Sequence, residues 1–169
     1  MVNFSAVPFK SSIQRVDDSW IDYNGHMNVT YYTQSFDKAI DQFFEKEIGI
    51  GPSYIKEEKK GSYALQTQYR YLRELCVGEE FQILIFISDY DKKRLHMMLT
   101  MVDLKNDLSI ASCETILMNV NLIERKSCEY PMFALERIKK LYELAKPLKL
   151  VTEMGHSIGL SKKSIKNKL

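Results

Sequence analysis

Residues 80–88, EFQILIFIS, are β-branched or aromatic on both faces of any strand they form, and this run constrains the fold more than any other stretch. A strand with one face in water alternates apolar and polar residues; one without that alternation is covered on both sides. The surrounding sequence is strand-like as well. Residues 63–73, YALQTQYRYLR, alternate Leu65, Thr67, Tyr69 and Tyr71 with Gln66, Gln68 and Arg70. Further strands run from Arg94 to Asp103, after a polar hairpin loop at 89–93, and from Ile110 to Ile123, after a turn at 105–107. Residues 10–16, KSSIQRV, alternate weakly and read as a short first strand.

One long helix precedes these strands. Over residues 30–46 the apolar positions Tyr32, Phe36, Ala39, Ile40, Phe43 and Phe44 form an amphipathic stripe. Gly49 and Gly51-Pro52 stop it. Residues 132–146 read as a second helix closed by Pro147. The order strand, long helix, four strands in a meander and terminal helix predicts an α+β fold with the sheet wrapped around the long helix. With 169 residues and no internal repeat or linker, residues 1–150 read as one domain. Residues 151–169 read as a C-terminal extension: GHSIGL as a docked segment, SKKSIKNKL as a solvated basic tail.

The formal net charge of +2 argues against nucleic acid as the main partner. The longest apolar run, Ile83 to Ile87, is far short of a membrane span, and MVNFSAVPFKSS has no secretory-signal pattern. Cys76, Cys113 and Cys128 are odd in number and scattered, which fits a reducing compartment and a cytoplasmic protein. His26, His96 and His156 show no metal-ligand spacing, so no metal site is expected.

Residues 20–32, WIDYNGHMNVTYY, crowd Asp22, Asn24, His26 and Asn28 around Gly25 just ahead of the long helix. Two readings stand. In the first, Asn28 caps the helix, Gly25 permits a left-handed turn, and Asp22 favours the positive helix end. In the second, the same helix end receives an oxyanion while Asp22 serves as nucleophile or base, with His26 polarising a carbonyl. A second unusual position is Glu114, which falls on a mostly apolar face with Ile110, Ile116, Met118, Val120 and Leu122. A buried carboxylate needs a partner. Either Arg70 or Arg73 supplies it, or Glu114 is a second acid or polar anchor in a pocket.

The pattern D-x-x-G-H-M-N followed by an aromatic helix resembles the hotdog-fold acyl-CoA thioesterases of the 4-hydroxybenzoyl-CoA thioesterase type. The segments WIDYNGHMNVTYY, RYLREL, DKKRLHM and GHSIGL are most similar to the betainyl-CoA thioesterase group, which is also found fused to carnitine dehydrogenases. The resemblance implies hydrolysis of an acyl-CoA thioester, with betainyl-CoA and carnitine or betaine metabolism as one candidate. It implies no cofactor, CoA being part of the substrate, and a homodimer or tetramer.

Residue by residue, the resemblance makes Asp22 the catalytic carboxylate and the backbone N–H of Val29 the oxyanion donor. His26 and Asn28 become polar positioners, and Glu114 matches an acid of the last strand. Cys113, beside it, departs from the small polar residue of that pattern. Arg94 and Arg125, with nearby lysines, are candidates for the CoA phosphates. Trp20, Tyr23, Tyr31 and Tyr32 are candidates to hold a trimethylammonium group on their faces. Two alternatives remain: an acyl-carrier-protein thioesterase, and a non-catalytic hotdog module that binds acyl-CoA.

Overall fold

The long helix forms where the apolar stripe predicts it. In the computed structural model, which describes Val7, residues 9–146, Gly155 and Ile158, α1 spans Val29–Phe43. The Asn28 side chain accepts from the Thr30 N–H and so caps it. The helical path continues as a wider π-type turn over Phe44–Ile48 and stops at Gly49, whose φ is +82°. Tyr32, Phe36, Ala39 and Phe43 face the core. Phe36 and Phe43 are fully buried, each contributing about 1.5–3 kcal/mol by removing apolar surface from water.

Around α1 wraps one antiparallel sheet built from β1 (Phe9–Lys10), β2 (Gln14–Arg15), β3 (Lys60–Tyr71), β4 (Glu80–Tyr90), β5 (Arg94–Asp103), β6 (Leu108–Asn121) and β7 (Lys126–Ser127). A short helix α2 (Pro52–Glu58) links α1 to β3, and α3 (Met132–Ala145) packs on β4. This is the α+β hotdog arrangement that the sequence leads one to expect. Two details differ from that reading. The expected strand at 10–16 is two short strands, both paired to β4 and parted by Ser11, whose hydroxyl accepts from the Ile83 N–H. The four long strands are also not a simple meander: the order is β4-β5-β6-β3, so β3 crosses over to pair with β6.

The run 83–87 is buried on both faces. Ile83, Ile85 and Ile87 join α1 and α3 in the main core. On the other face Leu84 packs with Val7 and Val102, and Phe86 with Met98 and Ala145. Val7, just before β1, and Ala145, the last residue of α3, thus help to cover the outer face here. Most of the C-terminal extension, including the lysine tail, lies outside the described residues.

Candidate active site

Asp22 opens a tight turn. The Gly25 N–H donates to the Asp22 carbonyl (2.9 Å) and the Asp22 N–H to the His26 carbonyl (3.1 Å). Gly25 sits at φ +83°, the left-handed region that glycine reaches without a steric cost. An Ile21–Met27 bridge closes the turn, and the buried Met27 donates its N–H to the Leu75 carbonyl at 2.7 Å. The Asn28 N–H returns to the Trp20 carbonyl at 2.9 Å. These bonds hold the turn against both the start of α1 and the segment after β3.

Within it, Asp22 Oδ1 accepts from the Asn24 N–H (2.8 Å) and Oδ2 from Asn28 Nδ2 (3.2 Å). Asn28 therefore does two things at once, capping the helix with its oxygen and holding the acid with its nitrogen. Val29, the first residue of α1, has an N–H without an intrahelical acceptor. His26 is half-buried, its Nδ1 lying 3.3 Å from the Met27 carbonyl. Asp22, His26, Asn28 and Val29 are thus brought together on one short segment.

The aromatic residues of the same stretch do not converge. Tyr23 is 96% exposed. Tyr32 is buried, with its hydroxyl donating to the Arg73 carbonyl (3.4 Å), and burial pushes its pKa up to about 12. Trp20 and Tyr31 stack on each other, centroids 5.1 Å apart. A four-ring cage at residues 20–32 is therefore not formed.

Glu114 takes a different partner from the one its sequence suggests. Its Oε1 lies 2.9 Å from His96 Nε2, and its Oε2 accepts from the Gly155 N–H at 2.9 Å; neither Arg70 nor Arg73 fills these positions. It projects from the sheet face turned away from α1, since its neighbours Cys113 and Thr115 line the groove beside the helix. Arg94 is engaged with Asp91 (2.7 Å) in the β4–β5 hairpin. Arg125 donates to the Tyr63 hydroxyl (2.9 Å) at the β3 start, whereas the Asp22 turn meets the chain beyond the β3 end.

Two cavities meet at Val29. The larger, about 590 Å³, runs between α1 and the sheet, lined among others by Thr33, Phe44, Thr67, Tyr69, Cys113 and Thr115. The smaller, about 370 Å³, lies among His26, Tyr32, Tyr71, Leu72, Arg73 and Glu74. Burial pushes the Cys113 thiol up to about 12, while Asp37 and Asp41 line the same cavity from α1. The sequence reading missed Thr33, Tyr69 and Tyr71 as site residues. For the two tyrosines the signal was the alternation in YALQTQYRYLR, which sets them on one face without saying what that face meets. Among the described residues, no group of three or more His, Cys, Asp or Glu side chains is placed to hold a metal ion.

The family model described as the thioesterase-like superfamily matches residues 16–138. An L-carnitine dehydrogenase/betainyl-CoA thioesterase of Rhizobium meliloti is 27% identical over 152 residues, covering 90% of this chain and 30% of that protein's length. A betainyl-CoA thioesterase of Pseudomonas aeruginosa is 26% identical over 83% of this chain and 88% of its own. In structure, a hypothetical protein from Staphylococcus aureus characterised in complex with CoA superposes with a TM-score of 0.82 at 25% identity. That match covers 90% of this chain and 95% of that one.

Proposed function

Since the chain belongs to the thioesterase-like superfamily, we propose that it hydrolyses an acyl-CoA thioester to the free acid and CoA, with Asp22 as the reacting carboxylate. The observation that carries this is the grip of Asn28 on Asp22 at the helix end that also presents the Val29 N–H. Asp22 attacks the thioester carbonyl or takes a proton from the attacking water, and the Val29 N–H receives the developing oxyanion. The C–S bond breaks, water supplies the hydroxyl of the acid, and its proton passes to the CoA sulfur. His26, which lines the smaller cavity, positions the carbonyl. No cofactor beyond water is required. Glu114, on the far face of the sheet, has no part in this scheme.

The acyl group proposed is betainyl, supported by the relatives that carry that name. The assembly proposed is a homodimer through β3. Its outer edge is unpaired among the described residues, and its centre, Ala64 to Gln68, carries no charge to discourage pairing. Tyr63 lies roughly 26 Å along the strand from Tyr71. Arg94 and Arg125, at the Tyr63 end, are therefore assigned to CoA binding only through such a dimer. Cys76, Cys113 and Cys128 are all free thiols, which supports a cytoplasmic setting. No helix among the described residues is long and apolar enough to cross a membrane.

The test is release of free CoA from betainyl, short aliphatic, long-chain and aromatic CoA thioesters, with Asp22→Asn run beside the wild type. A preferred thioester whose turnover falls by orders of magnitude in the variant is the expected result. Binding of CoA thioesters without release of CoA from any of them would replace hydrolysis with a binding role.

A further inference from the structure

Val29 lines both cavities, so a thioester held there has two directions for its two arms. At the junction stand two tyrosines that share one face of β3. Tyr69 lines the larger cavity and Tyr71 the smaller; their rings lie 6.5 Å apart and 20° from parallel. Both are packed against rings of α1. The Phe36 ring packs on Tyr69 at 5.8 Å, and Tyr32 meets Tyr71 edge-on at 5.4 Å. Tyr71 is nonetheless about half exposed, so ring surface remains open to a ligand.

Resting on the hydrolytic reading above, we infer that Tyr69 and Tyr71 are the specificity-determining residues of the site, selecting a short acyl group that ends in a quaternary ammonium. Length is decided by position along α1. Thr33, which lines the larger cavity with Tyr69, is four residues from Val29, about 6 Å along the helix axis. In a betainyl group the ammonium nitrogen is two bonds from the thioester carbonyl carbon, so it stays close to Val29, in the cavities that Tyr69 and Tyr71 line. Asp37 and Asp41 also line the larger groove, but they lie about 12 and 18 Å along the same axis, out of reach of so short a chain.

Charge is decided by the surroundings. Near Tyr69 the groove wall is Thr33, Thr67, Cys113 and Thr115, polar but uncharged, while Arg73 and Glu74, one charge of each sign, line the smaller cavity with Tyr71. The attraction offered to a cation there comes from the ring faces. The Asp37 carboxylate, whose charge is felt at the Tyr69 hydroxyl, adds a field of the same sense.

The test compares betainyl-CoA with 3,3-dimethylbutyryl-CoA, which has the same shape with carbon in place of the charged nitrogen. Wild type is expected to favour the cationic ester in kcat/KM. Tyr69→Leu and Tyr71→Leu each lower that preference, read as the ratio of the two kcat/KM values, by about tenfold. Tyr69→Phe, which keeps the ring and loses the hydroxyl, retains the preference. Equal use of the two esters by wild type, or a preference unchanged in both leucine variants, overturns the inference and leaves hydrolysis standing. Release of CoA from neither ester, nor from the wider panel above, rejects the hydrolytic reading and this one with it. Because Tyr71 is about half exposed, Tyr71→Leu decides the question even where Tyr69→Leu fails to fold.

Discussion

Asn28 Nδ2 donates to Asp22 Oδ2 at 3.2 Å while Asn28 Oδ1 accepts from the Thr30 N–H at 3.0 Å. One amide thereby couples the start of α1 to the acid of the turn. An aspartate in its place would cap equally well but could donate nothing to Asp22. The asparagine is thus what joins helix stability to the placement of a carboxylate.

That coupling separates two substitutions. Asn28→Ala removes both bonds, and is expected to cost about 1 kcal/mol of stability together with most of the thioesterase activity. Asn28→Asp keeps the cap but sets two carboxylates side by side, so one of them holds its proton to higher pH. Its melting temperature should stay close to wild type, while the rising limb of its pH–activity profile moves upward. Thermal melts and kcat/KM profiles of the two variants check this. A profile unmoved in Asn28→Asp would show that the amide does not act on Asp22.

Gly25 is at φ +83° with nothing within 4 Å of where a Cβ would stand. Gly25→Ala therefore meets no clash, and its whole cost is the left-handed backbone, about 1–2 kcal/mol. Urea unfolding should show the midpoint falling with an unchanged slope. A loss much larger than this would mean the turn is held by contacts other than those described.

Tyr130 is 3% exposed, and burial pushes its pKa up to about 12 from the usual 10.0. Folded, it keeps its proton to about pH 12; unfolded, it loses it near pH 10. The unfolded state binds fewer protons between those values, so stability is intact below pH 10 and falls above it. The slope is about 1.4 kcal/mol per pH unit for each such group. Cys113, raised from 9.0 to about 12, acts in the same sense from about pH 9 upward. Urea midpoints from pH 8 to 11.5 should decline, and Tyr130→Phe should make the decline above pH 10 shallower. An unchanged decline would place the alkaline loss elsewhere.

Local signals in the sequence carried the helix and the turn. The stripe from Tyr32 to Phe44 defines α1, and Gly25 and Asn28 do locally what their residue types do in any turn and cap. What depended on register was hidden. Glu114 sits opposite Met98, and its partner His96 is the diagonal neighbour, opposite Ile116. No spacing along one strand reveals a diagonal across two. The alternation in β3 likewise showed two faces but not that β6, fifty residues on, would be its neighbour. Closeness in sequence misled for the aromatics. Tyr31 and Tyr32 are successive on a helix, about 100° apart, so one stacks on Trp20 while the other enters the core.

The free edge of β3 gives the last prediction. Residues 63–67 are exposed on a twelve-residue strand whose other edge pairs with β6. Antiparallel pairing of two copies about the middle of this strand sets the neutral run 64–68 of one against that of the other. Lysines introduced at 65 and 66 then face each other across the two copies, and like charges directly opposite destabilise a strand pair. Sedimentation at micromolar concentration should show wild type as a dimer or tetramer, and Leu65→Lys combined with Gln66→Lys as a smaller species that keeps its helical circular dichroism. If the proposed dimer carries Arg94 and Arg125 to the CoA of the neighbouring site, the same double variant raises KM for acyl-CoA more than it lowers kcat. An unchanged mass in the double variant would move the interface off β3 and remove the ground for giving those two arginines a role.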